Sequence, residues 1–166
     1  MIYLIWLLRI IHIVAGVFWV GGTLTMTFFV APTIGATGES GQKFVSHLMN
    51  NLKFSTRMSA AAGSTILAGL ILYGLDARAG TAWLRSNFAV GLGIGAGFAL
   101  IGFVFGILIG RTTKAMAQLG MQIQGKPSPE QLSQMQDLQK RQATVSMISV
   151  WALLFAVIFM AIARYL

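Results

Sequence analysis

The chain has 166 residues, of which 56% are hydrophobic and only 10% charged, with a mean hydropathy of +0.75, too apolar for an ordinary water-soluble domain. Its 12 Lys and Arg against 4 Asp and Glu give a formal charge of +8, but the cations lie between apolar runs rather than along one polar face, which argues against nucleic-acid binding. The absence of cysteine excludes disulfides, thiolate metal sites, iron–sulfur clusters and thiol nucleophiles.

A helix needs roughly 20 residues to cross a hydrocarbon core of about 30 Å. Four apolar stretches answer to that requirement, at about 2–31, 59–75, 88–110 and 143–162. Barrel strands would alternate in polarity with period two, which these uniformly apolar, Gly- and Ala-rich runs do not. The sequence therefore predicts an all-α protein, a four-transmembrane-helix bundle with cytoplasmic helical extensions, forming one integral membrane domain over residues 1–166.

The first stretch is too long for a secretory h-region, lacks a basic leader and is interrupted by Arg9 and His12, so it reads as a mature helix running toward Pro32. Arg9, His12, Gly16 and Trp19 recur at intervals of three, four and three, which places them on one helical face. An ionisable residue within a span usually faces the bundle interior with a partner. Histidine is also the commonest side-chain ligand of metals and haem. His12 is therefore a candidate ligand for haem b or a copper ion, with Gly16 leaving room for a porphyrin edge and Arg9 placed to meet a propionate. The competing reading is that His12 hydrogen-bonds a hydroxyl or carbonyl in a polar core and Arg9 only snorkels.

The connection 33–58 carries Lys43, Lys53 and Arg57, and an extension beginning near Ser40 and Gly41 leads into the second span. His47 precedes that span in a polar stretch and is expected to be an ordinary exposed or interfacial histidine, so no bis-histidine pair within one subunit is predicted. In the third span Gly91, Gly95, Ala99, Gly102, Gly106 and Gly110 fall at spacings of four, four, three, four and four, a small-residue face for close packing. Its partner is a neighbouring span, a second copy or larger complex, or a flat cofactor.

Ser128-Pro129-Glu130-Gln131 combines an N-cap serine, a proline at the first helical position and a capping-box glutamine, which starts a helix that nothing breaks before Tyr165. Its early turns carry Leu132, Met135 and Leu138 as a packing stripe, and its far end carries Met160 and Arg164 at a depth comparable with His12 and Arg9. Met160 is thus a candidate second axial ligand, and plain core packing its alternative. Lys43, Lys53, Arg57, Arg111, Lys114, Lys126, Lys140 and Arg141 all fall in the two longer connections, so the positive-inside rule places these in the cytoplasm and both termini outside, in a cytoplasmic (inner) membrane.

None of Glu39, Asp76, Glu130 and Asp137 lies in a span, which disfavours proton relays and leaves no carboxylate to orient an embedded catalytic histidine. Three functions follow as expectations: cofactor binding through His12 for electron transfer or metal handling, a cofactor-free accessory or assembly subunit of a larger membrane complex, and a small-molecule or ion pathway.

The run from His12 through Trp19 to Gly21-Gly22, followed by Phe28-Phe29-Val30-Ala31-Pro32, resembles the first-helix pattern of the copper-resistance protein D-like membrane family and its small bacterial relatives. Ala68-Gly69-Leu70-Ile71-Leu72-Tyr73 and the ending from Met160 to Arg164-Tyr165 are similar to the same relatives. The resemblance implies a copper-transport role. A thinner resemblance to the membrane-bound protoporphyrinogen oxidase family, in the spacing of His12, Trp19 and Gly22, implies haem association at His12. That family's basic residue in a later helix has no counterpart between Phe88 and Gly110, so the likeness carries the ligand rather than the enzyme activity.

Overall fold

The computed structural model describes residues 2–123 and 125–166, and every regular element among them is helical. Four helices are long and apolar enough to cross a membrane: Ile2–Thr37, Phe54–Ala77, Asn87–Gln122 and Pro129–Tyr165.

The first is a composite of α1 (Ile2–Thr25), a π-helical turn (Met26–Val30) and α2 (Ala31–Thr37). The apolar span read as about 2–31 continues as helix through Pro32 to Thr37. Proline has no N–H for the carbonyl four residues back, and its ring crowds that carbonyl. The turn ahead of Pro32 widens, so that the Ala31 N–H donates to Met26 O, while the Thr33 hydroxyl donates to Phe29 O at 2.7 Å. A wider turn of this kind lets a helix absorb a proline without ending. Gly38, at φ +55°, then turns the chain into α3 (Glu39–Asn50). The corner is close: a Cβ on Gly41 would lie 2.5 Å from Ile34 O.

The extension is not continuous with the second span. Lys53 takes a left-handed conformation (φ 49°) before α4 (Phe54–Ala77) begins. α4 packs antiparallel on α1, and glycines mark the seam. A Cβ on Gly22 would meet Met58 Sδ at 2.8 Å, one on Gly16 would meet Thr65 Cγ2 at 3.4 Å, and one on Gly69 would meet the His12 ring at 2.7 Å. Gly21 and Gly22 do not break α1, and Gly22 instead admits Met58.

A short α5 (Thr81–Leu84) follows Gly80, and Ser86 caps α6 (Asn87–Gln122) by accepting from the Ala89 N–H at 3.2 Å. The Trp83 ring stands edge-on to Tyr73 (5.2 Å between centroids) and to Phe88 (6.3 Å), an aromatic cluster at this end of the molecule. α7 (Pro129–Ile162) starts with the predicted capping box, Gln131 N–H to Ser128 Oγ at 3.2 Å and Ser128 N–H to Gln131 Oε1 at 2.9 Å. At that helix start, the Glu130 carboxyl is held below its usual range by its own backbone N–H and then by the Ser128 hydroxyl. A 3₁₀ turn (Ala163–Tyr165) closes the chain, and Asn87 Nδ2 donates to Leu166 O at 2.6 Å.

α7 fills the small-residue face of α6. A Cβ on Gly91 would lie 3.2 Å from Ala163 Cβ, one on Gly95 3.0 Å from Met160 Cγ, and one on Gly102 2.6 Å from Leu153 Cδ2. The buried Ser149 hydroxyl donates across the same seam to Gly102 O at 3.1 Å. Gly106 and Gly110 face open space, and beyond them Gln142 Nε2 donates to Thr113 Oγ1 at 3.3 Å. The fold is thus two antiparallel helix pairs, α1 with α4 and α6 with α7. They are joined where Trp19 meets Phe103 edge-on at 6.3 Å, beside the buried Ala62 and Leu153. In the Leu132, Met135 and Leu138 stripe, Leu132 is exposed and the other two half-buried.

Gly102→Leu is expected to lower stability by about 1–3 kcal/mol through overpacking against Leu153. Gly106→Leu, one turn on in open space, should change it by less than about 0.5 kcal/mol. Thermal unfolding of the two variants in mild detergent checks the difference.

Candidate functional site

α4 carries Ala61, Ala62, Gly63, Ser64, Thr65, Ala68 and Gly69 on consecutive turns, so the α1 backbone can come close at this level. The consequence is a seat for His12. Its Nδ1 lies 2.8 Å from the main-chain carbonyl of Thr65, and its ring covers Gly69, where a Cβ would stand 2.7 Å from Cε1 and 2.9 Å from Nδ1. A carbonyl only accepts, so Nδ1 carries the hydrogen, and a lone pair on the ring can lie only on Nε2. The Thr65 hydroxyl does not compete, because it donates to Ala61 O at 2.8 Å. His12 is half-buried, and its described contacts belong to α4.

The other residues of the stripe are placed differently from one another. Gly16 faces α4, where a Cβ on it would stand 3.4 Å from the Thr65 methyl. Trp19 is 4% exposed and sits in the cluster that joins the helix pairs, with Thr23 Oγ1 donating to its carbonyl at 2.8 Å. Arg9 is exposed, one turn from His12. His47 is exposed on α3, where its carbonyl accepts from the Asn51 and Leu52 N–H groups.

Met160 is half-buried and packs its Cγ against Gly95. Arg164 is exposed, 5.5 Å from the centroid of the Tyr165 ring. Depth follows from the antiparallel register. His12 is level with Gly69, one turn before Tyr73, whose hydroxyl donates to Ala89 O at 3.4 Å and stands near Gly93. Gly69 is therefore level with the next turn of α6, where Gly95 meets Met160. His12 and Met160 share a depth, but they pack in different helix pairs.

Gly69 is the neighbour of His12 that the stripe on α1 did not announce. Its signal was in α4, where Ala61, Thr65 and Gly69 recur every four residues and form a face narrow enough to receive an imidazole. Among the described residues no group of three His, Cys, Asp or Glu side chains could hold a metal ion. The surface grooves along both helix pairs are lined almost wholly by apolar side chains, such as Ile11, Val14 and Phe18 on α1 and Trp151 and Phe155 on α7.

No protein-family model, curated protein or solved structure matches the chain.

Gly69→Ala puts a methyl group into the His12 ring and is expected to cost about 1–3 kcal/mol. The cost should largely vanish in a His12→Ala background, because the clash and the ring leave together. A double-mutant cycle of unfolding midpoints reads the coupling.

Proposed function

We propose that this is an integral protein of a cytoplasmic membrane whose first helix presents Nε2 of His12 as an axial ligand to haem b, in the service of electron transfer. The observation that carries the reading is the 2.8 Å contact between His12 Nδ1 and Thr65 O. A ligating histidine characteristically gives its other ring N–H to a carbonyl or carboxylate, which fixes the tautomer and aims the lone pair. Here that outer partner is in place within a helix pair.

Haem suits this donor set better than a bare copper ion. The porphyrin brings four nitrogens and asks the protein for one or two axial ligands, whereas copper needs its coordination shell from side chains. One embedded imidazole without a companion cluster meets the first demand and not the second. Copper bound through His12 would need thioether donors or a second copy of the chain. When bound, haem supplies one-electron chemistry. This chain's own part is to hold the imidazole in one tautomer, keep water away with the apolar seam, and offer Arg9, exposed one turn outward, to a propionate. Met160, at the same depth on the other pair, is the candidate for a second axial position, and a five-coordinate site is the alternative.

The accessory-subunit reading is supported by a separate observation, the sparse cover on α1, where Trp19 and Thr23 are the buried residues. That open face suits a further membrane subunit as well as lipid.

The test is a dithionite-reduced minus air-oxidised spectrum of the protein purified in mild detergent from haem-replete cells. A stoichiometric b-type spectrum that disappears in folded His12→Ala is expected, and its full retention in that variant overturns the assignment. For orientation, the eight cations of the two longer connections predict both termini outside. A reporter fused after Leu166 should be silent if it is active only in the cytoplasm, and a cytoplasmic signal would invert the arrangement.

A further inference from the structure

The register that fixes the depth of His12 also fixes where the cations stand. The Gln142 to Thr113 hydrogen bond brings Arg111 and Lys114 of α6 level with Lys140 and Arg141 of α7. α4 and α6 are antiparallel and meet at Tyr73 and Ala89. From that meeting, 16 and 20 residues lead back through α4 to Arg57 and Lys53, rises of about 24 and 30 Å, and 22 and 25 residues of α6 lead to Arg111 and Lys114, rises of about 33 and 38 Å at 1.5 Å per residue. All six side chains are exposed.

One carboxylate, Asp137, stands within a turn of that level. Glu39 is held by Lys43 at 2.7 Å, the ion pair found among the described residues, Glu130 lies at the start of α7, and Asp137 lies a turn beyond Lys140 and Arg141. At the opposite limit stand the aromatic rings of Tyr73, Trp83 and Phe88. Between Phe88 and Arg111 the helix rises about 35 Å, close to the roughly 30 Å of a hydrocarbon core. The cations therefore fall at headgroup depth, where an aromatic belt marks the other face.

We propose that Lys53, Arg57, Arg111, Lys114, Lys140 and Arg141 form one belt that binds the phosphate groups of anionic phospholipids. The cations are spread over three helices rather than gathered on one face, which suits several small headgroups better than a single acidic protein segment. The proposal rests on the membrane reading above and is independent of haem.

The experiment uses the full chain in mild detergent, with phosphatidylglycerol and phosphatidylcholine added in equal amounts. Retained lipid is measured by native mass spectrometry and stability by unfolding midpoint. Phosphatidylglycerol should be retained about tenfold or more over phosphatidylcholine at low salt and should raise the midpoint. Each belt cation changed to Gln should reduce that preference by about 1.5-fold, and all six changed together should remove it. Arg78→Gln with Arg85→Gln, at the other end, should leave it unchanged. Should a belt variant fail to fold, a salt titration of the unaltered protein serves instead, and the preference must collapse near 1 M, where the screening length is about 3 Å. Equal retention of both lipids, a preference that survives the belt substitutions or high salt, or the same stabilisation by inorganic phosphate overturns the proposal. Retention of neither lipid would count against the membrane reading itself.

Discussion

Close backbone approach at glycine is the constraint on which the rest of this structure depends. In an apolar surrounding, burying one hydrocarbon face against another gains little, so helices associate through contact and hydrogen bonds at short range. Gly16, Gly22 and Gly69 allow that approach between α1 and α4, and Gly91, Gly95 and Gly102 allow it between α6 and α7. Two of the interhelical hydrogen bonds within the pairs, His12 to Thr65 and Ser149 to Gly102, use a main-chain carbonyl, which a side chain can reach only where the helices lie this close. The two pairs touch each other more sparingly, at Trp19, Phe103 and their neighbours.

The same constraint gives the imidazole its character. A polar ring within an apolar seam is costly unless its hydrogen-bonding groups are matched. One nitrogen of His12, Nδ1, is matched by the Thr65 carbonyl. Covering Gly69 leaves the ring little freedom to rotate away. The packing that lets two spans pair thus also produces an oriented donor at a defined depth. Beside it Arg9 is exposed, and Met160 is half-buried in the other helix pair.

Much of the architecture was legible because it depends on local pattern. Length and hydropathy marked all four long helices, and the Ser128 to Gln131 box located the start of α7 to the residue. The glycine spacing in α6 announced a close contact, and the structure identifies α7 as its partner along Gly91 to Gly102. The continuation of the helix past Pro32 was hidden, because the proline's lost hydrogen bond is absorbed by one wider turn upstream, and nothing in the residue types from Met26 to Val30 announces that turn. The break at Lys53 was also hidden, since a left-handed lysine has no local signature. At the site, His12 stood out as an ionisable residue in an apolar run, but its partner is a carbonyl, which every residue has. Only the register of α1 on α4 could select Thr65.

The chain contains two histidines, which makes the central claim directly observable. Nitrogen-15 resonances of the His12 ring, recorded on cofactor-free protein in detergent with His47→Gln to simplify the spectrum, report which nitrogen carries the hydrogen. The account predicts a neutral ring protonated at Nδ1 and an unprotonated Nε2 whose signal alone shifts strongly when haem is added. A ring protonated at Nε2, or a spectrum indifferent to haem, would contradict it.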